Sequence, residues 1–179
     1  MKQPPTLDEL SLRIAQILSE ATGRSVTRFD QPLMRELGFD SLDMIEAAFS
    51  MEEHFGFQFA EHHPLEVLQQ HLGDDRLIQD GVLTDLGKSV ALKRMPELAA
   101  FEWTKTSVAG LQQLYTVETY ARMMSEFYQA LPELEATTGE PIVLDDLKPI
   151  TATTRTPVKP PSGDELVTRW AESMVQELA

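Results

Sequence analysis

Apolar residues recur at helical spacing along nearly the whole 179-residue chain, and only Ile142-Val143-Leu144 reads as a strand. That bias restricts the chain to an all-α architecture with little sheet. Thr6-Leu7-Asp8-Glu9 is a capping-box pattern, followed by Leu10, Ile14, Ile17 and Leu18 on one face and Gly23 as a stop. Residues 24–40 read as a loop, broken at Pro32 and Gly38 and anchored by Phe29, Leu33 and Leu37. A second helix is predicted from Ser41 to Phe55. Met44, Ala48, Met51 and Phe55 form its core stripe, and Leu42, Glu46, Phe49 and Glu53 a mixed apolar and acidic stripe on another face. Ser107 to Leu114 reads as a short helix, and a longer one opens at Thr116-Val117 and carries apolar residues through Leu131. The prolines and threonines of residues 149–163 read as an extended linker, and residues 164–178 as a terminal amphipathic helix.

Composition narrows the function classes. Cysteine is absent, which excludes disulfides, thiolate metal sites and cysteine nucleophiles. Net charge is −14, against the basic footprint that nucleic acids and anionic membranes require, and it favours basic protein partners. Residues 36–66 hold eight acids and no Lys or Arg. The apolar runs are too short for a membrane span, and Met1-Lys2-Gln3-Pro4-Pro5 leads into no signal-peptide core, so a cytoplasmic location is expected.

At the start of the second helix stands Leu37-Gly38-Phe39-Asp40-Ser41-Leu42-Asp43, with Glu46, Glu52-Glu53 and Phe55-Gly56 following. Ser41 has no histidine close in sequence and no Gly-x-Ser-x-Gly elbow, so it does not read as a hydrolytic nucleophile. A helix N-terminus does offer free N–H groups and the positive end of the dipole, which favour a phosphodiester. The unadorned alternative is a serine that only caps the helix. The whole stretch resembles the prosthetic-group attachment segment of acyl carrier proteins. The match covers about residues 7–59 and, more weakly, 107–131, where Thr116-Val117 is similar to the start of the last carrier helix.

The resemblance implies an acyl-carrier-like four-helix bundle with extra inserted helices and a C-terminal helical tail. The carrier-like domain is expected over residues 6–131 with an insertion at about 60–105, and an extension over 132–179. An alternative assignment makes Pro64 to Leu72 the third helix; the Thr116-Val117 match favours the insertion. The resemblance further implies 4′-phosphopantetheine on Ser41, donated from coenzyme A by a phosphopantetheinyl transferase, and no catalytic residue in the chain itself. Acyl thioesters would be delivered to fatty-acid, polyketide or related lipid enzymes bearing basic patches. Asp40, Leu42, Asp43, Glu46, Phe49 and Glu53 are the implied partner contacts. A peptidyl or aminoacyl carrier, and a scaffold that keeps the fold without the arm, are the alternatives.

One departure from the family is the small pair Ala47-Ala48, where carriers commonly have larger aliphatics, and the smaller side chains would leave room for an acyl chain inside the bundle. His54, His62 and His63 lack a metal-ligand spacing and read as loop or surface histidines, and no metal is expected. Asp74-Asp75 with Asp80-Gly81 lacks the alternation of a calcium loop, and Trp103 and Trp170 read as packing anchors.

Overall fold

The structure is a computed structural model that describes residues 4–179. Met1, Lys2 and Gln3, at the head of the stretch read for a targeting signal, lie outside the described residues. The architecture is mostly helical, with seven α-helices and two small hairpins among the described residues. In chain order these are α1 (Leu7–Thr22), α2 (Ser41–Phe55), α3 (Pro64–Leu72), the hairpin β1 (Ile78–Gln79) and β2 (Val82–Leu83), and α4 (Asp85–Arg94). A 3-10 turn (Pro96–Ala100) leads to α5 (Val108–Gln112) and α6 (Val117–Thr138), then β3 (Ile142–Asp145), β4 (Lys148–Thr151) and α7 (Gly163–Leu178). No helix among the described residues is long and apolar enough to cross a membrane.

Two apolar cores organise these elements. In the first, Leu10, Ile14 and Leu18 of α1 meet Ala47, Met51 and Phe55 of α2 and Val117, Met124 and Phe127 of α6. Leu33 and Phe39 close it from the 23–40 loop, and Phe57 stacks on Phe127 with ring centroids 4.6 Å apart. The second core gathers Leu65 and Leu68 of α3, Val90 and Ala91 of α4, Leu98, Trp103 and Leu111, with Ala171 and Met174 of α7. Tyr120 of α6 packs against both and forms part of the seam.

The caps explain where the helices start. α1, α2 and α7 each carry a reciprocal capping box, Thr6 with Glu9, Asp40 with Asp43 and Ser162 with Glu165. α6 uses Thr116 and Thr119 the same way, both buried, so their hydroxyls satisfy backbone donors that water does not reach.

Two expectations change. α6 does not end at Leu131 but runs through Pro132 to a left-handed Gly139 cap, so the boundary drawn at residue 131 falls inside a helix. Pro132 and Glu133 lie on an exposed stretch of the helix, and the proline removes the bond that the Tyr128 carbonyl would otherwise accept. The 149–163 linker is partly folded: β4 pairs with β3 in register Leu144 to Pro149 and Val143 to Ile150, and Pro149, Ile150, Thr151 and Pro160 are buried. The outer edge of β4 is met by the following segment, where the Val158 N–H donates to the Pro149 carbonyl at 3.0 Å and Ile150 bridges Pro157. The terminal helix packs along α3, and its first turn is pinned where the Gly163 N–H donates to the Gln58 carbonyl at 2.7 Å. A Cβ at Gly163 would stand 2.1 Å from the Ala60 nitrogen, so only glycine allows that approach.

Candidate functional site

Ser41 is the first residue of α2, and the cap before it is Asp40. The Asp40 carboxylate accepts the Asp43 N–H at 2.9 Å, and the Asp43 carboxylate accepts the Asp40 N–H at 3.0 Å. Capping is therefore done without the serine. Ser41 is exposed, and no described residue hydrogen-bonds its hydroxyl. Gly38, at φ 72°, turns the chain into the helix, and the buried Phe39 ring holds that turn to the first core. Residues at the first two helical positions have no intrahelical acceptor for their N–H groups, so donors and the helix dipole converge beside Ser41.

Arg24 braces the same corner. Its Nε donates to Asp43 Oδ2 at 2.7 Å, and its guanidinium lies 5.7 Å from the Phe39 ring centroid. The Asp40 backbone N–H, and then Arg24, hold the Asp43 carboxyl below the usual carboxylate range against a smaller opposing effect of desolvation. Asp43 thus departs from the expected role of partner contact. Its side chain is only 16% exposed and is committed to the cap and to Arg24.

The remaining implied contacts do lie on the surface. Asp40, Leu42, Glu46, Phe49 and Glu53 are all exposed, and Leu42 and Phe49 are 63% and 67% accessible despite being large apolar side chains. Ile45, which the two-stripe reading left out, is exposed to 66% and fills the gap between them. Its position three residues from Leu42 and four from Phe49 was the available signal.

Beyond α2, the structure assembles residues that sequence spacing keeps apart. His63 is buried rather than a loop or surface residue, and its Nε2 lies 2.9 Å from the Tyr115 hydroxyl. Burial, and secondarily Arg94, push the His63 ring down to about 4, so it is neutral at physiological pH. Arg94 pairs with Glu126 at 2.6 Å and stacks 4.6 Å from the Trp170 ring centroid. Burial raises Glu126 above the usual carboxylate range, with Arg94 opposing. His63, Tyr115, Arg94 and Glu126, with Ala48, Tyr120 and Leu166, line a cavity of about 220 Å³ at the seam between the two cores. At its rim Glu61, His62 and Asp164 bring ligand-type atoms within 4.8 Å of one another, but Asp164 already accepts the Glu61 N–H.

Residues 12–63 match the family model described as the phosphopantetheine attachment site. This segment is similar to phosphopantetheine-carrier domains. The match is consistent with a carrier protein of the acyl carrier family, and it spans Ser41 and all of α2. No curated protein and no solved structure gives a significant match. Carrier domains of this kind hold 4′-phosphopantetheine covalently. The local geometry fits such a group: an exposed serine hydroxyl without a partner, unpaired helix N–H groups for a phosphate, and a rigid cap that does not use the serine. The carrier match stops one residue before α3, while α6, more than fifty residues later, supplies the third helix of the first core.

Proposed function

We propose that Ser41 is the attachment point of the arm, and that the protein carries acyl groups between enzymes without catalysing a reaction itself. The observation that carries this reading is the exposed, unbonded Ser41 hydroxyl at the first position of a helix inside the matched segment. The bound group would supply a terminal thiol, which holds an acyl chain as a thioester. The chain has no cysteine of its own to do so. In the loading reaction the Ser41 oxygen bonds to the β-phosphorus of coenzyme A, its proton is lost, and the adenosine bisphosphate portion leaves.

Leu42, Ile45 and Phe49 would form the apolar centre of the docking face, ringed by Asp40, Glu46 and Glu53. Partners would include a phosphopantetheinyl transferase and acyl-processing enzymes that present basic patches around an apolar hollow. An apolar centre supplies most of the binding free energy, and the acidic ring speeds and orients the encounter. An acyl cargo is favoured over an aminoacyl one because the acidic helix suits acyl-processing enzymes that present basic patches.

Intact-mass measurement after incubation with coenzyme A, Mg²⁺ and a promiscuous transferase tests the reading. A gain of one phosphopantetheine that disappears in Ser41→Ala supports it. No gain in the folded wild type leaves a carrier-fold scaffold as the explanation.

A further inference from the structure

The seam cavity lies on the same side of α2 as Ser41. Ala48 follows Ser41 by seven residues, which returns to within about 20° of the same direction around a helix and advances about 10 Å along it. That distance is shorter than an extended pantetheine arm. Ala48 is small, so it leaves the cavity open where a larger aliphatic would close it. The volume, about 220 Å³, exceeds the roughly 150 Å³ of an apolar cavity that admits benzene. The walls are largely apolar, from Phe59, Met123, Phe127 and Leu166.

One end is polar, and its hydrogens can be assigned. The Leu65 N–H donates to His63 Nδ1 at 3.2 Å, so that nitrogen carries no proton. The proton of the neutral ring is on Nε2, which donates to the Tyr115 oxygen at 2.9 Å. The Tyr115 O–H therefore has no acceptor among the described residues. The Tyr120 hydroxyl, which belongs to a residue lining the same cavity, has no hydrogen-bond partner among them at all. Tyr120 is half-buried, so its hydroxyl is open to the cavity rather than sealed in the core. Arg94 spends one nitrogen on Glu126, and its Nε and Nη1 make no hydrogen bond to any described residue. The cavity thus presents unspent donors and an apolar wall.

We infer that this cavity is a cargo seat, built between the carrier core and the added helices, and that it selects short, uncharged acyl groups bearing an acceptor oxygen, such as 3-oxoacyl groups. The inference rests on the carrier reading. Tyr115 and Tyr120 would donate to the oxygen while Ala48, Met123 and Leu166 enclose the chain. A saturated chain leaves the donors unpaired, which costs more than the contacts it gains. A carboxylated chain is disfavoured because Arg94 is already paired with Glu126 at 2.6 Å, which leaves no unmatched positive charge in the cavity to offset a second buried carboxylate.

The test loads the full chain with butyryl-, 3-oxobutyryl- and malonyl-pantetheine from the corresponding coenzyme A thioesters and verifies each by intact mass. Two quantities are then read: thioester half-life relative to the same free pantetheine thioester, and amide chemical shifts of Ala48, Met123 and Leu166. Relative protection about fivefold greater for 3-oxobutyryl than for butyryl is expected, the equivalent of one net hydrogen bond. Shifts at all three amides should accompany it. Tyr120→Phe removes a hydroxyl that no protein group uses, so it should keep the fold and abolish the difference. Ala48→Leu should abolish protection of every cargo. Equal protection of butyryl and 3-oxobutyryl overturns the inference, as does malonyl protected as well as 3-oxobutyryl or a difference that survives Tyr120→Phe. Failure to load at all is a separate result, visible by mass, and it removes the carrier reading on which the seat depends.

Discussion

Asp40 and Asp43 cap each other's backbone across the first turn of α2, and the serine between them is left with nothing to hold. This division of labour frees Ser41 for modification. A capping serine would have to give up a structural bond to be modified.

Ser41→Ala should therefore be silent in stability and decisive in loading. The change should fall within about 0.5 kcal/mol, as for an exposed position without partners. Asp40→Ala should cost about 1 kcal/mol through loss of the cap and, with the serine hydroxyl still in place, slow loading without abolishing it. Thermal unfolding and intact mass, measured on both variants, check the pair.

Acid should loosen α2 at its start. The Asp43 carboxyl is held below its ordinary range in the folded state, so its contribution is present above the unfolded-state pKa and is lost as the pH falls through the depressed folded value. Glu9 and Glu165, lowered by the same backbone bonds at the other capping boxes, follow the same sign. Helicity followed by circular dichroism from neutral pH downward should fall less steeply in Asp43→Asn than in the wild type.

His63 predicts a second and separate pH effect. Its folded-state pKa, about 4, lies below the ordinary 6.5, so the unfolded chain binds the proton more readily between these values. Stability should decline as the pH drops from about 6.5 to about 4, by at most about 3 kcal/mol from this group. Denaturant unfolding of the wild type and His63→Gln across that window measures it. A slope that persists in the variant would assign the loss to other groups.

The docking face should be separable from the fold. Ile45→Glu and Phe49→Ala alter side chains that are two-thirds exposed, so each should change stability by less than about 0.5 kcal/mol. Both should slow loading by a transferase, and rising salt should slow the wild type as well, because the acidic ring steers the encounter over a Debye length. Initial rates against ionic strength provide the measurement.

Gly163→Ala should be costly out of proportion to one methyl group. Its Cβ would meet the Ala60 backbone at 2.1 Å, and backbone cannot rotate away. A loss of about 1–3 kcal/mol is expected, with the cavity residues Leu166 and Val167 displaced. Hydrogen exchange on α7 reports the displacement.

Features that depend on neighbours along the chain were legible in the sequence. The Thr6 cap, the Gly23 stop and the Ser41 motif are local signals written within a few residues, whereas the cap of α2 is Asp40 and not the serine weighed for that role. Ile45 was missed because an apolar residue on a predicted helix reads equally as core or surface until its neighbours are placed. Asp43 was read as a docking acid because its partner, Arg24, sits nineteen residues away across a loop. The β3–β4 hairpin escaped because Pro149 and the following threonines carry linker composition, while pairing and burial of Ile150 come from tertiary contact. His63, Tyr115, Arg94 and Glu126 share a cavity only after four separate segments meet, so no spacing rule could collect them.

The helix that completes the first core arrives late in the chain. Val117, Ala121, Met124 and Tyr128 fill the space beside α1 that the 12–63 stretch cannot fill for itself. The attachment segment is thus not a transferable cassette: excised or grafted into another scaffold, it would expose the apolar sides of α1 and α2 together. For ribosomal synthesis this means that the serine emerges long before the bundle around it can close, which needs residues well past 117.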